Sequence, residues 1–132
     1  MRGNTVLSTT LFSFIVITLN TFTNNSTAID CDDVKADADD AYEYFKKAYN
    51  SYSLEDAHYF AEKGMDSASS AENEAGDSEC DCDDAESAAS DAYSYVKKAY
   101  NSNNLPDAKY YAKKAMNPSS DITDEAEDCE VE

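Results

Sequence analysis

The sequence predicts an all-α protein: two tandem disulfide-stapled helical hairpins forming a four-helix bundle or a short two-unit helical repeat. Three observations carry this expectation. The segment Asp40–Met65, DAYEYFKKAYNSYSLEDAHYFAEKGM, returns 51 residues later as Asp91–Met116, DAYSYVKKAYNSNNLPDAKYYAKKAM, so one supersecondary unit is used twice. Within each copy, small and apolar residues recur at helical spacing, and no alternating strand pattern follows Ala28. Four cysteines, Cys31, Cys80, Cys82 and Cys129, bracket the two copies.

Residues 1–28 differ from everything after them. Arg2 is the only charged side chain before Asp30, and Leu7, Leu11, Phe12, Phe14, Ile15, Val16, Ile17 and Leu19 make an apolar stretch. Ser26-Thr27-Ala28 places small residues where a signal peptidase requires them. This is the pattern of a secretory signal peptide cleaved near Ala28. The polar interruptions at Ser8, Thr9, Thr10, Ser13, Thr18 and Asn20 make it a poor permanent membrane span. An aspartate directly before Cys31 argues against lipid attachment there.

Residues 29–81 form the first hairpin. Asp32 and Asp33 suit the positive end of a helix dipole. Val34, Ala38, Ala41, Phe45 and Ala48 then line one helical face. Asn50-Ser51 stops that helix, asparagine being tolerant of the left-handed conformation that closes many helices. Ser53 is the next N-cap, with Glu55 and Asp56 in the turn behind it. Leu54, Ala57, Ala61, Gly64, Ala68, Ala71 and Ala75 form the second seam, and Gly76 ends it.

Residues 82–132 repeat the script and finish in an acidic tail. Ala85, Ala89, Ala92, Val96 and Ala99 line the third helix. Asn104 caps the fourth, Pro106 falls harmlessly in its first turn, and Ala108, Ala112, Ala115, Ile122 and Ala126 line it. Pro118 predicts a break or kink after Met116, with Ser119 or Ser120 capping a short restart. Short turns make sequential helices antiparallel neighbours; the alternative to a bundle is two hairpins on a loose hinge at Cys80–Cys82. The seams are mostly alanine, which buries little apolar area, so disulfides and tyrosine packing must add to the core.

An even number of cysteines in a small exported chain indicates two disulfides. A hairpin brings the start of its first helix beside the end of its second, which predicts Cys31–Cys80 and Cys82–Cys129. Straight helices would overshoot this pairing, so the chain should turn back at Gly76 in the first hairpin and at Pro118 in the second. A metal or redox site at Cys80-Asp81-Cys82 would need thiolates and lacks companion histidines.

The formal net charge is −18, and loss of Arg2 with the leader makes it more negative. Such a surface excludes nucleic acid and anionic membranes as partners and favours basic proteins or peptides, or divalent cations. Asp32, Asp33, Asp124, Glu125 and Asp128 offer hard oxygen ligands for weak calcium binding. The EF-hand loop, with its central glycine and terminal glutamate, is missing, so no dedicated metal site and no cofactor are expected. Catalysis is not expected either. His58 is the only histidine, Lys109 replaces it in the second copy, and it is expected at the surface. No Ser-His-Asp arrangement or phosphate loop can be assembled around it. Tyr42 with Tyr49, and Tyr93 with Tyr100, share helix faces, while Tyr59 and Tyr110 repeat on the second helices. These rings either pack hairpin on hairpin or form an interaction face.

The segment Asn50-Ser51-Tyr52-Ser53-Leu54-Glu55-Asp56-Ala57, with Tyr59, Ala61 and Met65, resembles the turn and second helix of a tetratricopeptide-type hairpin, as does Asn101–Met116. The resemblance is one of architecture and covers about 15 residues per copy. It implies a peptide- or protein-binding scaffold. The function expected is that of a secreted or periplasmic, acidic, non-enzymatic helical-repeat protein with a structural or protein-interaction role. The alternatives are an extracellular calcium buffer and a peptide binder using the tyrosine face.

Overall fold

The computed structural model describes residues 31–77 and 80–129. The predicted signal peptide, residues 1–28, lies outside them, as do the last three residues of the tail. Four helices follow one another: α1 (Asp32–Asn50), α2 (Leu54–Ala75), α3 (Asp83–Tyr100) and α4 (Leu105–Cys129). Among the described residues there is no strand. Each helix packs on its sequence neighbours, α1 also packs on α4, and α2 touches α4 lightly across the centre. This is a four-helix bundle. The α1–α4 and α2–α3 seams join the hairpins nearly as extensively as the seams within each hairpin, so the two copies are not hung on a hinge.

Every residue of the predicted seams is buried except Leu54, which is half-buried at the start of α2. Phe45, Ile122, Val34 and Val96 are the largest fully buried side chains. Alanine fills most of the remainder and lets the helix axes approach closely. At Gly64 the contact is too tight even for alanine. A β-carbon added there would stand 2.6 Å from Cδ1 of Phe45 and 3.2 Å from Cβ of Tyr44.

The caps show how the sequence cuts the helices. Ser53 Oγ accepts from the Asp56 N–H at 3.1 Å. Asn104 and Asp107 cap each other, the Asp107 N–H donating to Asn104 Oδ1 and Asn104 Nδ2 to Asp107 Oδ2, a reciprocal arrangement that satisfies an orphan donor. The end of α1 differs from expectation. Asn50 stays helical, and Ser51 swings to extended backbone at φ −63°, ψ 148°. The side chains close the helix instead: Asn50 Nδ2 donates to the Lys46 carbonyl and Ser51 Oγ to the Lys47 carbonyl. Asn101 and Ser102 repeat both bonds on Lys97 and Lys98. The Ser side chain thus satisfies a last-turn carbonyl, and the Asn side chain adds a second bond one carbonyl earlier, without a left-handed residue.

Both disulfides form as the hairpin geometry requires, Cys31–Cys80 with α-carbons 5.0 Å apart and Cys82–Cys129 with 6.0 Å. In the first hairpin α2 ends at Ala75 and the chain turns back from Gly76. The reversal is completed at Asp81, whose φ is 48°, in the left-handed region that aspartate tolerates. The Asp81 N–H donates to the Asp77 carbonyl at 2.7 Å and the Cys82 N–H to the Ala75 carbonyl at 2.8 Å.

The second hairpin corrects the expectation for Pro118. Helix α4 runs through that proline without interruption to Cys129. Proline removes one ladder bond, that to the Lys114 carbonyl, but the next residue ties the same turn to α1. Ser119 is fully buried and its Oγ donates to the Ala38 carbonyl at 2.9 Å. Ser119 is therefore a core residue and not the cap of a restart. Nor is an early helix end needed to bring Cys129 to its partner. Cys82 stands clear of α3 as an extended residue at φ −112°, ψ 94°, and its Sγ lies 3.5 Å from the Glu125 carbonyl of α4. Ser119→Ala should cost about 1 kcal/mol, the net worth of one buried hydrogen bond, measured as a shift of the urea midpoint. Alanine is the residue the first hairpin carries at the matching position, Ala68, so no steric change accompanies the loss.

Candidate functional site

The surface is divided along the bundle axis. Helix α1 has 19 residues and spans about 28 Å at the standard rise, so the two poles are well separated. All lysines except Lys35 lie in the half nearer the α1–α2 and α3–α4 turns. Tyr52, Tyr59, Tyr100 and Tyr110, the exposed large apolar side chains among the described residues, lie in that half too. The opposite half, around the disulfides, carries most of the carboxylates.

In the turn half, lysines lie over tyrosine faces. Lys98 and Lys114 both lie over Tyr95, at 5.3 and 5.8 Å from its centroid, and Lys114 also lies over Tyr110. Lys109 and Lys113 flank Tyr49 at 5.7 and 5.6 Å. These distances are within cation–π range. They tie α3 to α4 and α1 to α4, holding long lysine stems against rings.

His58 does not stand free at the surface. Its Nε2 is 2.9 Å from the Ser102 carbonyl and its ring lies 5.7 Å from that of Tyr100. A carbonyl only accepts, so Nε2 carries the hydrogen. Lys109, which occupies the matching position of the second copy, donates to the Ser51 carbonyl at 3.2 Å, and Ser51 matches Ser102. Each hairpin thus sends one donor to the end of the other's first helix. The shared property is donation, which histidine and lysine both supply.

The predicted tyrosines do not gather on one face. Tyr42 lies in the α1–α4 groove with Asp39, Ser120, Thr123 and Asp124, and Tyr49 lies in the same groove beneath Lys109 and Lys113. Tyr100 meets His58 of α2 on the opposite seam, and Tyr93, half-buried against the core, shares its helix face. Tyr59 and Tyr110 pack edge-to-face on their neighbours Phe60 and Tyr111 and stay exposed.

Of the candidate metal ligands, Asp32 pairs with Lys35 at 2.9 Å, and Asp33 is exposed in the same turn. Asp124 lies beside Tyr42. Glu125 and Asp128 line a hollow with Asp84 at the Cys129 end of α4. Among the described residues no group of three or more His, Cys, Asp or Glu side chains is arranged to hold a metal ion.

One carboxylate contact went unnoticed in the sequence because the residues are on different helices. Asp37 of α1 and Glu74 of α2 face each other. Burial is the main cause that raises both carboxyls above their ordinary range; next comes the charge of Asp40 acting on Asp37, and that of Asp37 acting on Glu74. Glu74 Oε2 is buried without a hydrogen-bond partner, and a carboxylate opposite has no hydrogen to offer unless one of the two is protonated. A carboxyl whose folded pKa is raised contributes stability that is complete below the ordinary carboxylate range and is lost as pH rises through the raised value. The melting temperature should therefore rise as pH falls through the upper part of the carboxylate range. In Glu74→Gln this part of the rise should disappear, with the variant melting higher than the parent at pH 7; an unchanged slope would remove the pair from the account.

Comparison with family models, with curated proteins and with solved structures finds no match. Among the described residues no helix is long and apolar enough to cross a membrane. The two disulfides place the folded chain in an oxidising environment.

Proposed function

We propose that this is an exported, non-enzymatic interaction module, an acidic stapled bundle that acts by presenting its surface to a protein or peptide. The observation that carries the reading is the pair of disulfides closing each hairpin at the acidic pole. Such cross-links suit secreted or periplasmic proteins, which is the destination the pattern of residues 1–28 implies. The carboxylate-rich pole suits a basic partner, and the kinship with tetratricopeptide-type hairpins points the same way.

Cross-linking and pull-down from the extracellular or periplasmic fraction test it, with the natively secreted protein as bait. A basic partner should be captured, and lost when Asp124, Glu125 and Asp128 become Asn, Gln and Asn. The N-terminus of that secreted bait should be Ile29. Recovery of the chain in the membrane fraction with Met1 intact would overturn the localisation. Calorimetry with calcium separates this reading from that of a cation buffer: a dissociation constant tighter than about 10 μM would favour the buffer.

A further inference from the structure

Helix α4 carries a face that is complementary to itself. Its exposed stripe runs Tyr110, Lys113, Asn117, Asp121, Asp124 and Asp128, at the spacing that keeps residues on one side of a helix. The stripe is centred on Asn117. Inverted about that centre, Lys113 falls on Asp121 and Tyr110 on Asp124. The basic half of one α4 therefore matches the acidic half of another laid antiparallel to it. A two-fold pairing requires this self-complementarity, because each contact must occur twice. The duplicate helix α2 lacks it: Glu62 stands where α4 has Lys113, and Asp66 where it has Asn117, so the same face of α2 would repel its own copy.

Two more features fall on the same stripe. The lysines are held by rings: Lys113 lies over Tyr49, and Lys114 over Tyr95 and Tyr110. Tyr110, Lys113, Lys114 and Asn117 line a shallow hollow, where aliphatic stems and a ring give apolar surface beside the charges. Next to it lies the turn of Pro118, which lines a second hollow with Lys114, Asn117 and Asp121. Proline supplies no N–H, so the Lys114 carbonyl lacks the donor that a helix provides. At the two-fold centre, the Asn117 amide of a second copy is a donor placed beside it.

We infer that two copies of this protein associate antiparallel along α4, Lys113 of each facing Asp121 of the other about a two-fold axis at Asn117. The proposal gives the interaction module a partner, a second copy, and rests on that reading of the protein. The charge near −18 on each copy opposes approach at low salt. At about 0.15 M salt it is screened beyond about 8 Å, while the α4 contacts act within that distance. Association is therefore strongest at intermediate ionic strength.

Sedimentation velocity of the mature, oxidised protein in about 0.15 M sodium chloride tests this, from about 10 μM to 1 mM, where a few exposed ion pairs and a ring hold a dimer. The parent should form a reversible dimer. Lys113→Asp and Asp121→Lys, each made alone, turn both symmetry-related contacts repulsive and should weaken the dimer about tenfold or more. Mixed in equal amounts, the two variants restore Lys–Asp opposition at both contacts and should dimerise again. Both positions are exposed, so helical circular dichroism should be unchanged; Asp121→Lys should leave the monomer's melting unchanged, while Lys113→Asp also gives up the contact with Tyr49 and should lower it slightly. A parent monomeric at 1 mM, dimers indifferent to either substitution, a mixture that stays monomeric, or growth beyond the dimer would each overturn the pairing. A monomeric parent would leave the broader reading to its own pull-down.

Discussion

Removing one staple, by replacing Cys82 and Cys129 together with serine, should lower stability by about 4 kcal/mol. The two cysteines are 47 residues apart, and Cys31 and Cys80 are 49. Cross-links closing loops of this size restrict the unfolded chain by about that amount in the chain-entropy model. The loss is large because the core has little reserve. Among the described residues its only sizeable fully buried apolar side chains are Phe45, Ile122, Val34 and Val96, and alanine contributes little area per residue. Small domains typically hold 5–15 kcal/mol in all, so removal of both staples should leave a chain that is unfolded or barely folded at room temperature. Urea titration of the parent, each double variant and the quadruple variant measures this. A loss below about 1 kcal/mol per staple would mean that helix packing alone holds the bundle, and that the unfolded chain is already compact.

A double-mutant cycle at Phe45 and Gly64 should show strong coupling. A β-carbon at Gly64 runs into the Phe45 ring, which is fully buried. Gly64→Ala should therefore destabilise by about 1–3 kcal/mol through overpacking, despite the roughly 1 kcal/mol that alanine gains over glycine in a helix. Phe45→Val alone should cost about 2–4 kcal/mol through the space it leaves. Together the substitutions reproduce the second hairpin, where Val96 and Ala115 hold these positions and both are buried. The double variant should be more stable than the sum of the singles predicts, by about 1–2 kcal/mol. Additive losses would mean that the two sites relax independently and that the exchange between hairpins is not one of volume.

The same pair shows why so much of the fold was legible in the sequence. A duplicated unit writes each buried position twice, and where one copy changes size its neighbour changes in return. The alanine seams and the two cysteine pairs followed from spacing alone. Ser119 did not, because a serine beside a proline in a helix reads locally as a stop; the burial of its match, Ala68, was the available signal. Pro118 misled for the same reason: the rule against proline in helices is local, whereas the Ser119 bond to Ala38 and the packing of α1 on α4 act across the bundle. His58 and Lys109 differ as acids and bases but agree as donors, and their common target appears only when the hairpins face each other. The tyrosine spacing puts Tyr42 with Tyr49, and Tyr93 with Tyr100, on one face of a helix each. It could not show that the two pairs lie on opposite seams, which depends on how the hairpins pack.

Cys80 and Cys82 are separated by Asp81 alone, and that residue is exposed. Covalently, the folded chain is two closed rings, 31–80 and 82–129, joined through a single amino acid. A peptidase that cuts inside either ring opens it and releases nothing, since both new ends remain tied through sulfur. Only the two peptide bonds flanking Asp81 part the rings. Against peptidases, this architecture leaves the chain in one covalent piece after any single cut inside a ring, and concentrates vulnerability to cleavage in one residue.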